Sequence, residues 1–91
     1  MHFVWIGYLK PELDQIPPSI QLQGTDFLSQ PVVKIIAAGP LRESTGKRTA
    51  MMMVFEHRTR DEAQKFVMDS PYLLADLYED HRLYKYDNEV G

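Results

Sequence analysis

The side chains of this sequence that could perform chemistry most directly are one serine and three histidines. Ser70 follows Asp69 and precedes Pro71. A serine acts as a nucleophile only when a neighbouring base takes its proton, and no base is assured here. A serine directly before a proline is also typical of a helix N-cap, whose hydroxyl accepts a backbone hydrogen bond. Helix capping is therefore the stronger interpretation of Ser70, and nucleophilic catalysis is the alternative.

The histidines form a metal site only if they meet in space. His2 begins the first predicted strand, His57 follows the third and His81 begins the fourth. In the sheet predicted below, His2 and His57 fall at opposite ends. His57 and His81 then share an end at a separation of about 10 Å, because one strand lies between them. Cysteine is absent, which excludes thiolate ligands and disulfides. We predict no metal centre and no cofactor.

A possible bend at Gly39-Pro40 is the next feature, because a glycine lets the backbone approach a ligand closely. Turn geometry alone also explains the pair. Arg42 follows it and could bind an anionic ligand, although a solvated loop arginine is the simpler interpretation. The spacing from Gly39 to Gly46-Lys47 does not fit a phosphate-binding loop.

Length and charge limit the partners. The chain has 91 residues, which predicts one domain over residues 1–91. Its 10 basic and 13 acidic residues give a net charge of −3, so no global field attracts nucleic acid. The first apolar run ends at Lys10, lacks a basic leader and is too short for a membrane span. We therefore expect a soluble cytoplasmic protein with no nucleic acid or membrane partner.

Hydrophobic periodicity, prolines and caps divide the chain into strands and helices. The predicted elements are strand 2–9, helix 18–29 ended by Pro31, strand 32–38 closed by Gly39-Pro40, loop 41–49, strand 50–56, a helix capped by Thr59, a short helix capped by Ser70, and strand 79–86. The two strands 2–9 and 50–56 are apolar on both faces. We predict that the methionines of the second strand belong to the core, and the minor alternative is that they bind a flat hydrophobic ligand.

This element order is the split β-α-β-β-α-β, or ferredoxin-like, arrangement of an α+β domain. We expect strands 2–9 and 50–56 to lie parallel at the centre, the other two to form the edges, and the helices to cover one face. The second face of the central strands is apolar and has nothing in the chain to cover it. An exposed apolar sheet is a liability, so we predict a homodimer that packs sheet to sheet.

Several short segments in this order resemble the YCII-related family of dimeric α+β barrel proteins. They are Ala38-Gly39-Pro40-Leu41, Val54-Phe55-Glu56 with the helix start at 59–66, Pro71-Tyr72, and Tyr78-Glu79. The resemblance implies a ferredoxin-like protomer, a dimer joined through its sheets, and a pocket between sheet and helices.

The resemblance also implies which residues reach that pocket. Members of the family are proposed to use a His–Asp pair as general acid and base. This chain has Ser70 at the aspartate position and Leu22 near the histidine position, so neither role is carried over. Tyr72 and Glu79 match family positions and become pocket candidates. The alternatives are that Tyr72 packs with its hydroxyl at the surface and that Glu79 pairs with a nearby base.

The sequence thus predicts a YCII-like protein that binds a small aromatic or anionic molecule. Metal-free acid–base chemistry, a proton transfer or an elimination, is one hypothesis, and a non-catalytic homodimeric interaction or sensing module is the other. The enzymatic hypothesis requires a buried carboxylate in the pocket. The candidate residues are Gly39, Pro40, Arg42 and Tyr72 for the ligand, and Ser70, Glu79 and Asp69, a substitute base, for catalysis.

Overall fold

Four strands form one antiparallel sheet in the computed structural model of the chain, which describes residues 1–13, 16–29 and 33–90. The elements are β1 (His2–Leu9), α1 (Pro18–Leu28), β2 (Lys34–Arg42), β3 (Arg48–Glu56), α2 (Arg60–Met68), α3 (Pro71–Leu74) and β4 (Tyr78–Tyr86). Their order along the sheet is β2-β3-β1-β4. The predicted α+β, ferredoxin-like class is confirmed, with β1 and β3 at the centre.

The two central strands run antiparallel, so the predicted parallel pairing is wrong. The reason lies in the connections. The α1 crossover brings β2 back in the direction of β1, and the hairpin after β2 then reverses the chain into β3. Every neighbouring pair of strands in the sheet is antiparallel as a result.

This correction moves the histidines. His2 pairs with Glu56 across the strands, and its Nε2 lies 2.9 Å from Glu56 Oε1. His57 is therefore at the same end of the sheet as His2, whereas His81 pairs with Gly7 towards the other end. The prediction that His57 shares an end with His81 is also wrong. Within residues 1–13, 16–29 and 33–90, no group of three or more His, Asp or Glu side chains could hold a metal ion.

The second strand continues through Gly39-Pro40 to Arg42, beyond its predicted end. Pro40 is tolerated there because β2 is an edge strand, which leaves half of its N–H groups outside the ladder. The reversal falls instead at Gly46, whose φ of +90° suits glycine. The predicted stop at Pro31 and strand start at Val32 lie outside the described residues.

The hydrophobic core lies between the sheet and the helices. Trp5 and Phe3 of β1 are fully buried, as is Phe55 of β3. Burial of each such side chain stabilises the fold by roughly 1.5–3 kcal/mol. On α2, Phe66 packs with its ring centroid 5.0 Å from that of Phe55. Met51 and Met53 are also buried, as the sequence predicts, but Met52 lies on the opposite face and is only partly buried, because neighbouring residues of a strand point to opposite faces.

The opposite face of the sheet carries apolar side chains that are only partly buried. Val4, Met52 and Val54 line a shallow depression of about 520 Å³ there, and Ile36 and Tyr86 stand exposed around it. We call this surface the open face. Among the described residues no helix is both long and apolar enough to cross a bilayer.

Candidate functional site

Two β-bulges lie at the same end of the sheet, beside the last residues of β1. In the β2–β3 pair, Leu41 lies opposite Ala50 and Arg42 opposite Arg48, so Thr49 is an extra residue in β3. A bulge of this kind changes which face of the sheet the adjacent side chain points to, and bulges are frequent next to active sites.

The first bulge turns Arg48 towards the helices. Strict alternation would place Arg48 on the face opposite to Met51, which belongs to the core. Instead, Arg48 Nη2 lies 3.7 Å from Met51 Sδ. The Nε atom of Arg48 is buried and has no hydrogen-bond partner within the described residues. A guanidinium donor is thus held at the edge of the core.

The second bulge has the same effect on β4. Tyr8 lies opposite Asp80 and Leu9 opposite Tyr78, so Glu79 is the extra residue. Tyr78 turns into the core and packs edge-on against Trp5, with ring centroids 5.3 Å apart. Its hydroxyl is buried without a hydrogen-bond partner in the described part of the chain. Glu79, which the resemblance makes a pocket candidate, is exposed.

A glycine makes room for these rings. Gly7 of β1 is buried, and a Cβ on it would lie 2.6 Å from the Trp5 indole and 2.9 Å from Tyr78 Cδ1. Such distances are well inside van der Waals contact, so no side chain fits at position 7 unless the rings move. Gly7 pairs with Met51 of β3 on one side and with His81 of β4 on the other, so it lies between the strands that carry Arg48 and Tyr78.

Tyr72 enters the same region from the short helix α3. Ser70 caps this helix, with its hydroxyl accepting a hydrogen bond from the Leu73 N–H at 3.3 Å. Tyr72 is buried, and its hydroxyl occupies the space that a Cβ on Gly24 of α1 would need. The glycine in the middle of α1, which lowers helix propensity, is therefore explained by close packing against Tyr72.

The three polar side chains of this region, Arg48, Tyr72 and Tyr78, are called the polar cluster below. Burial raises the pKa of both tyrosines, and the charge of Arg48 partly opposes that shift in each. The proximity of Tyr72 raises the pKa of Tyr78 further. Both hydroxyls therefore remain protonated at neutral pH and available as hydrogen-bond donors.

A surface cavity of about 260 Å³ adjoins the polar cluster and includes Arg48 in its wall. Its described lining consists of Tyr8, Leu9, Lys10, Pro11, Leu13, Glu43, Lys47, Arg48, Thr49 and Glu79. Three of these side chains are cationic and two are carboxylates, and the remainder are mostly apolar. This volume lies just below the usual range of about 300–1,000 Å³ for ligand pockets, so it has room for no more than a small, single-ring molecule.

The structure brings some of the predicted site residues together. Tyr72 belongs to the polar cluster, Ser70 positions it as the buried N-cap of α3, and Glu79 lies in the cavity wall. Asp69 lies elsewhere, exposed, in the wall of a separate depression with His57 and Lys65. The two carboxylates proposed for catalysis are thus both accessible to solvent.

The remaining candidates lie on the edge strand. A Cβ on Gly39 would meet nothing within 4 Å, so no close backbone approach requires that glycine. Pro40 next to it is exposed. Arg42 donates to the Gly46 carbonyl oxygen at 3.0 Å within the hairpin. These three residues are not part of the polar cluster or of the described cavity lining.

The residues that the sequence analysis missed are Arg48 and Tyr78. Both sit beside a bulge, and simple alternation along each strand gives the wrong face for them. A weak signal existed for each. Arg48 is a charged residue at the start of an otherwise apolar strand, and Tyr78 belongs to the Tyr78-Glu79 pair, of which the glutamate was chosen.

The fold is similar to that of a solved enzyme. The structure of 5-chloro-2-hydroxyhydroquinone dehydrochlorinase (TftG) from Burkholderia phenoliruptrix AC1100, in complex with 2,5-dihydroxybenzoquinone, matches with a TM-score of 0.73. The match covers 98% of this chain and 96% of that one at 20% sequence identity, so it establishes similarity of fold. No protein-family model matches the sequence. No curated protein matches it either.

Proposed function

We propose that the protein binds a small aromatic or anionic molecule in the surface cavity beside the polar cluster. The observation that carries this proposal is the bulge at Thr49, which turns Arg48 out of strict alternation and into the cavity wall, near enough to Tyr78 for its charge to lower the pKa of that hydroxyl. The fold similarity supports it, because TftG is a protein of this shape solved with a dihydroxybenzoquinone.

The protein is further proposed to be a YCII-like homodimer of the dimeric α+β barrel class, comprising one domain and located in the cytoplasm. The resemblance of short segments and the similarity of fold support the class. The apolar open face supports dimerisation, since a second copy would remove Ile36, Tyr86 and their neighbours from water. Neither nucleic acid nor membrane forms part of this proposal.

Elimination without a metal is the reaction that we propose to test, with the exposed carboxylate of Glu79 as base in place of the buried carboxylate that the sequence-based hypothesis requires. In a dehydrochlorination, a base removes a proton from the substrate, a double bond forms, and chloride leaves with the bonding electron pair. Glu79 is the carboxylate in the cavity wall nearest in sequence to Tyr78, and it is our candidate base. Tyr72 is a candidate donor to a substrate oxygen, and Ser70 is proposed to act through the position of Tyr72.

Binding is tested by ligand-observed NMR with phenols, lactones, small acids and 2,5-dihydroxybenzoquinone. Thr49→Phe fills the cavity at the bulge, and Thr45→Phe at the exposed hairpin is the matched control. We expect binding to the wild type and to Thr45→Phe, and weaker binding to Thr49→Phe. If none of these compounds binds the wild type, or if Thr49→Phe binds as well as the control, the proposed site is wrong.

A non-catalytic module is the second candidate function. It is favoured by the exposure of Asp69 and Glu79 and by the use of the Ser70 hydroxyl as a helix cap. Release of chloride from a chlorinated hydroquinone distinguishes the two. If the protein is an enzyme, the wild type should release chloride and the Glu79→Gln variant should release it more slowly. Glu43→Gln, which changes a second carboxylate of the same cavity, should release chloride at the wild-type rate. Binding without chloride release from the wild type would support the module.

A further inference from the structure

We propose that the groove between α2 and the edge strand β4 binds a small organic oxyanion, a phosphate or a carboxylate, with Arg60 as its anchor. The groove has a volume of about 420 Å³, within the usual range of about 300–1,000 Å³ for ligand pockets. Its described lining shares no residue with the cavity of the proposed function, which is called the first cavity below. The inference is therefore a second site and does not rest on the first.

The first argument is that a charged group is held in the groove. Arg60, the first residue of α2, donates from Nη2 to the Leu83 carbonyl oxygen of β4 at 3.1 Å. This bond leaves most of the five N–H donors of the guanidinium unused. In the described part of the chain Arg60 forms no ion pair with a carboxylate. A guanidinium that is positioned and not neutralised suits a carboxylate or a phosphate, which it can bind through two parallel hydrogen bonds.

The second argument is that strand and helix geometry bring further donors to the same place. His81 and Lys85 lie two residues to either side of Leu83 on one face of β4, so the Cα of each is about 7 Å from that of Leu83. On α2, Gln64 lies one turn beyond Arg60, which places their Cβ atoms about 5–6 Å apart. Arg60 and these three donor residues all line the groove.

The third argument is the position of the proton on His81. The indole N–H of Trp5, which is fully buried, donates to His81 Nδ1 at 3.3 Å. A ring nitrogen that accepts a hydrogen bond carries no proton, so the neutral imidazole holds its proton on Nε2. Among the described residues Nε2 has no hydrogen-bond partner, and it is not one of the buried atoms that lack one. His81 thus offers a hydrogen-bond donor even when it is uncharged.

The fourth argument is the charge of the lining. Among the described lining residues there are three cations, Arg60, Arg82 and Lys85, and no carboxylate. Outside the lining, Asp80 lies 3.2 Å from Arg82 Nε and Asp87 lies 3.7 Å from Lys85 Nζ. Both of these ion pairs are exposed to solvent and therefore weak. The groove as a whole favours an anion over a cation.

A protein segment that adds a strand to β4 is the alternative occupant, and the structure disfavours it. His57 N–H donates to the Met1 carbonyl oxygen, so Met1 and every second residue after it in β1, including Trp5, bond to β3. Leu83, which lies opposite Trp5, therefore directs its backbone groups away from β1, where an added strand would bond. Arg60 already occupies the Leu83 carbonyl oxygen there, as charged side chains often protect edge strands.

The test titrates phenyl phosphate, benzoate and the uncharged benzyl alcohol into ¹⁵N-labelled protein and follows the backbone amide signals by NMR. Arg60→Gln removes the anchoring charge. Arg58→Gln is the matched control, because Arg58 is exposed, lies two residues away and is not part of the groove lining. The titrations are repeated with Thr49→Phe, which fills the first cavity, so that binding there is not mistaken for binding in the groove.

We expect phenyl phosphate to bind the wild type saturably and to shift the amide signals of residues 60–64 and 81–85, and we expect no such shifts with benzyl alcohol. Arg60→Gln should weaken phenyl phosphate binding by about tenfold or more, the effect of removing a hydrogen bond between charged groups. Arg58→Gln and Thr49→Phe should change it by less than about twofold. Benzoate binding with the same dependence on Arg60 would show that carboxylates are accepted, and its absence would show that the groove selects phosphates.

Three results would overturn the inference. One is the absence of phenyl phosphate and benzoate binding to the wild type at millimolar concentration. Another is equal affinity of Arg60→Gln and Arg58→Gln. The third is a set of shifts confined to residues 8–13 and 43–49 and lost in Thr49→Phe, which would assign the anion to the first cavity. That last result would support the proposed function, so the two failures are distinguishable.

Discussion

At the scale of single residues, the closest packing in the site joins Gly24 of α1 to the hydroxyl of Tyr72. The hydroxyl lies where the Cβ of any larger residue would be. Alanine normally stabilises a helix interior by about 1 kcal/mol relative to glycine. The glycine at position 24 is therefore explained by the room it leaves for the Tyr72 hydroxyl and not by helix propensity. The contact fixes α1 against α3 and thereby positions one member of the polar cluster.

Gly24→Ala should therefore destabilise the protein by about 1–3 kcal/mol, because the new methyl group overpacks the contact with Tyr72. Urea unfolding measures the change. Gly39→Ala is the control, since a Cβ there meets nothing within 4 Å, and it should change the free energy of unfolding by less than about 0.5 kcal/mol. A stabilised Gly24→Ala variant would show that Tyr72 is not held as described.

The raised pKa of Tyr78 predicts a loss of stability in alkali. In the unfolded chain this hydroxyl ionises near its ordinary value of 10.0, whereas burial keeps it protonated in the fold at higher pH. Above pH 10 the folded state thus binds more protons than the unfolded state, so stability falls as pH rises. Below pH 10 the hydroxyl keeps its proton in both states, so the stabilising effect of burying the neutral Tyr78 side chain is fully present there.

Unfolding by urea at about pH 9 and about pH 11 tests this, because a single buried proton contributes at most about 1.4 kcal/mol per pH unit. Tyr78→Phe should lose less stability between the two pH values than the wild type. Tyr84→Phe, which removes an exposed hydroxyl, should behave like the wild type. Equal pH dependence of the wild type and Tyr78→Phe would contradict the burial of this hydroxyl.

At the scale of elements, the caps of the short helices were predictable and the bulges were not. Thr59 accepts a hydrogen bond from the Glu62 N–H and Ser70 from the Leu73 N–H, as their spacing in the sequence indicates. A bulge has no comparable signature, since one extra residue in a strand leaves composition and hydrophobicity unchanged. Glu79 became a pocket candidate through the family resemblance, whereas Tyr78 is the side chain of the pair that turns into the core.

Ser70→Ala distinguishes a cap from a nucleophile. As a cap, the hydroxyl contributes about 0.5–2 kcal/mol to the free energy of unfolding. The variant should lose that amount in urea unfolding, and Thr59→Ala should lose a similar amount at the exposed end of α2. Any chloride release by the wild type should persist in Ser70→Ala when the variant is folded. Complete loss of release from a folded Ser70→Ala protein would make Ser70 the nucleophile instead.

At the scale of the whole molecule, the sequence predicted the order of elements and the two central strands because hydrophobic runs, prolines and caps are local signals. It gave the wrong relative direction of β1 and β3, which depends on how α1 and the hairpin connect the strands. The positions of the histidines followed that error. The polar cluster could not be predicted, since it joins residues far apart in the chain through two bulges.

The apolar open face makes a prediction about assembly. Val54→Lys places a charge in the middle of that face and should convert a dimer into a monomer, because a sheet-to-sheet interface would bury the ammonium group. Leu74→Lys, at an exposed position on α3, is the control and should leave the dimer intact. Sedimentation equilibrium measures both. A wild type that sediments as a monomer at micromolar concentration would contradict the proposed dimer.

The central claim is that the bulge at Thr49 directs Arg48 into the wall of a ligand site. The most direct measurement follows the side-chain N–H signals of Arg48 by ¹⁵N NMR while 2,5-dihydroxybenzoquinone is added. The account predicts saturable shifts of the Arg48 side-chain signals and no such shift at Arg42, which lies outside the cavity lining. Saturable binding that leaves the Arg48 side-chain signals unmoved would show that the ligand binds elsewhere.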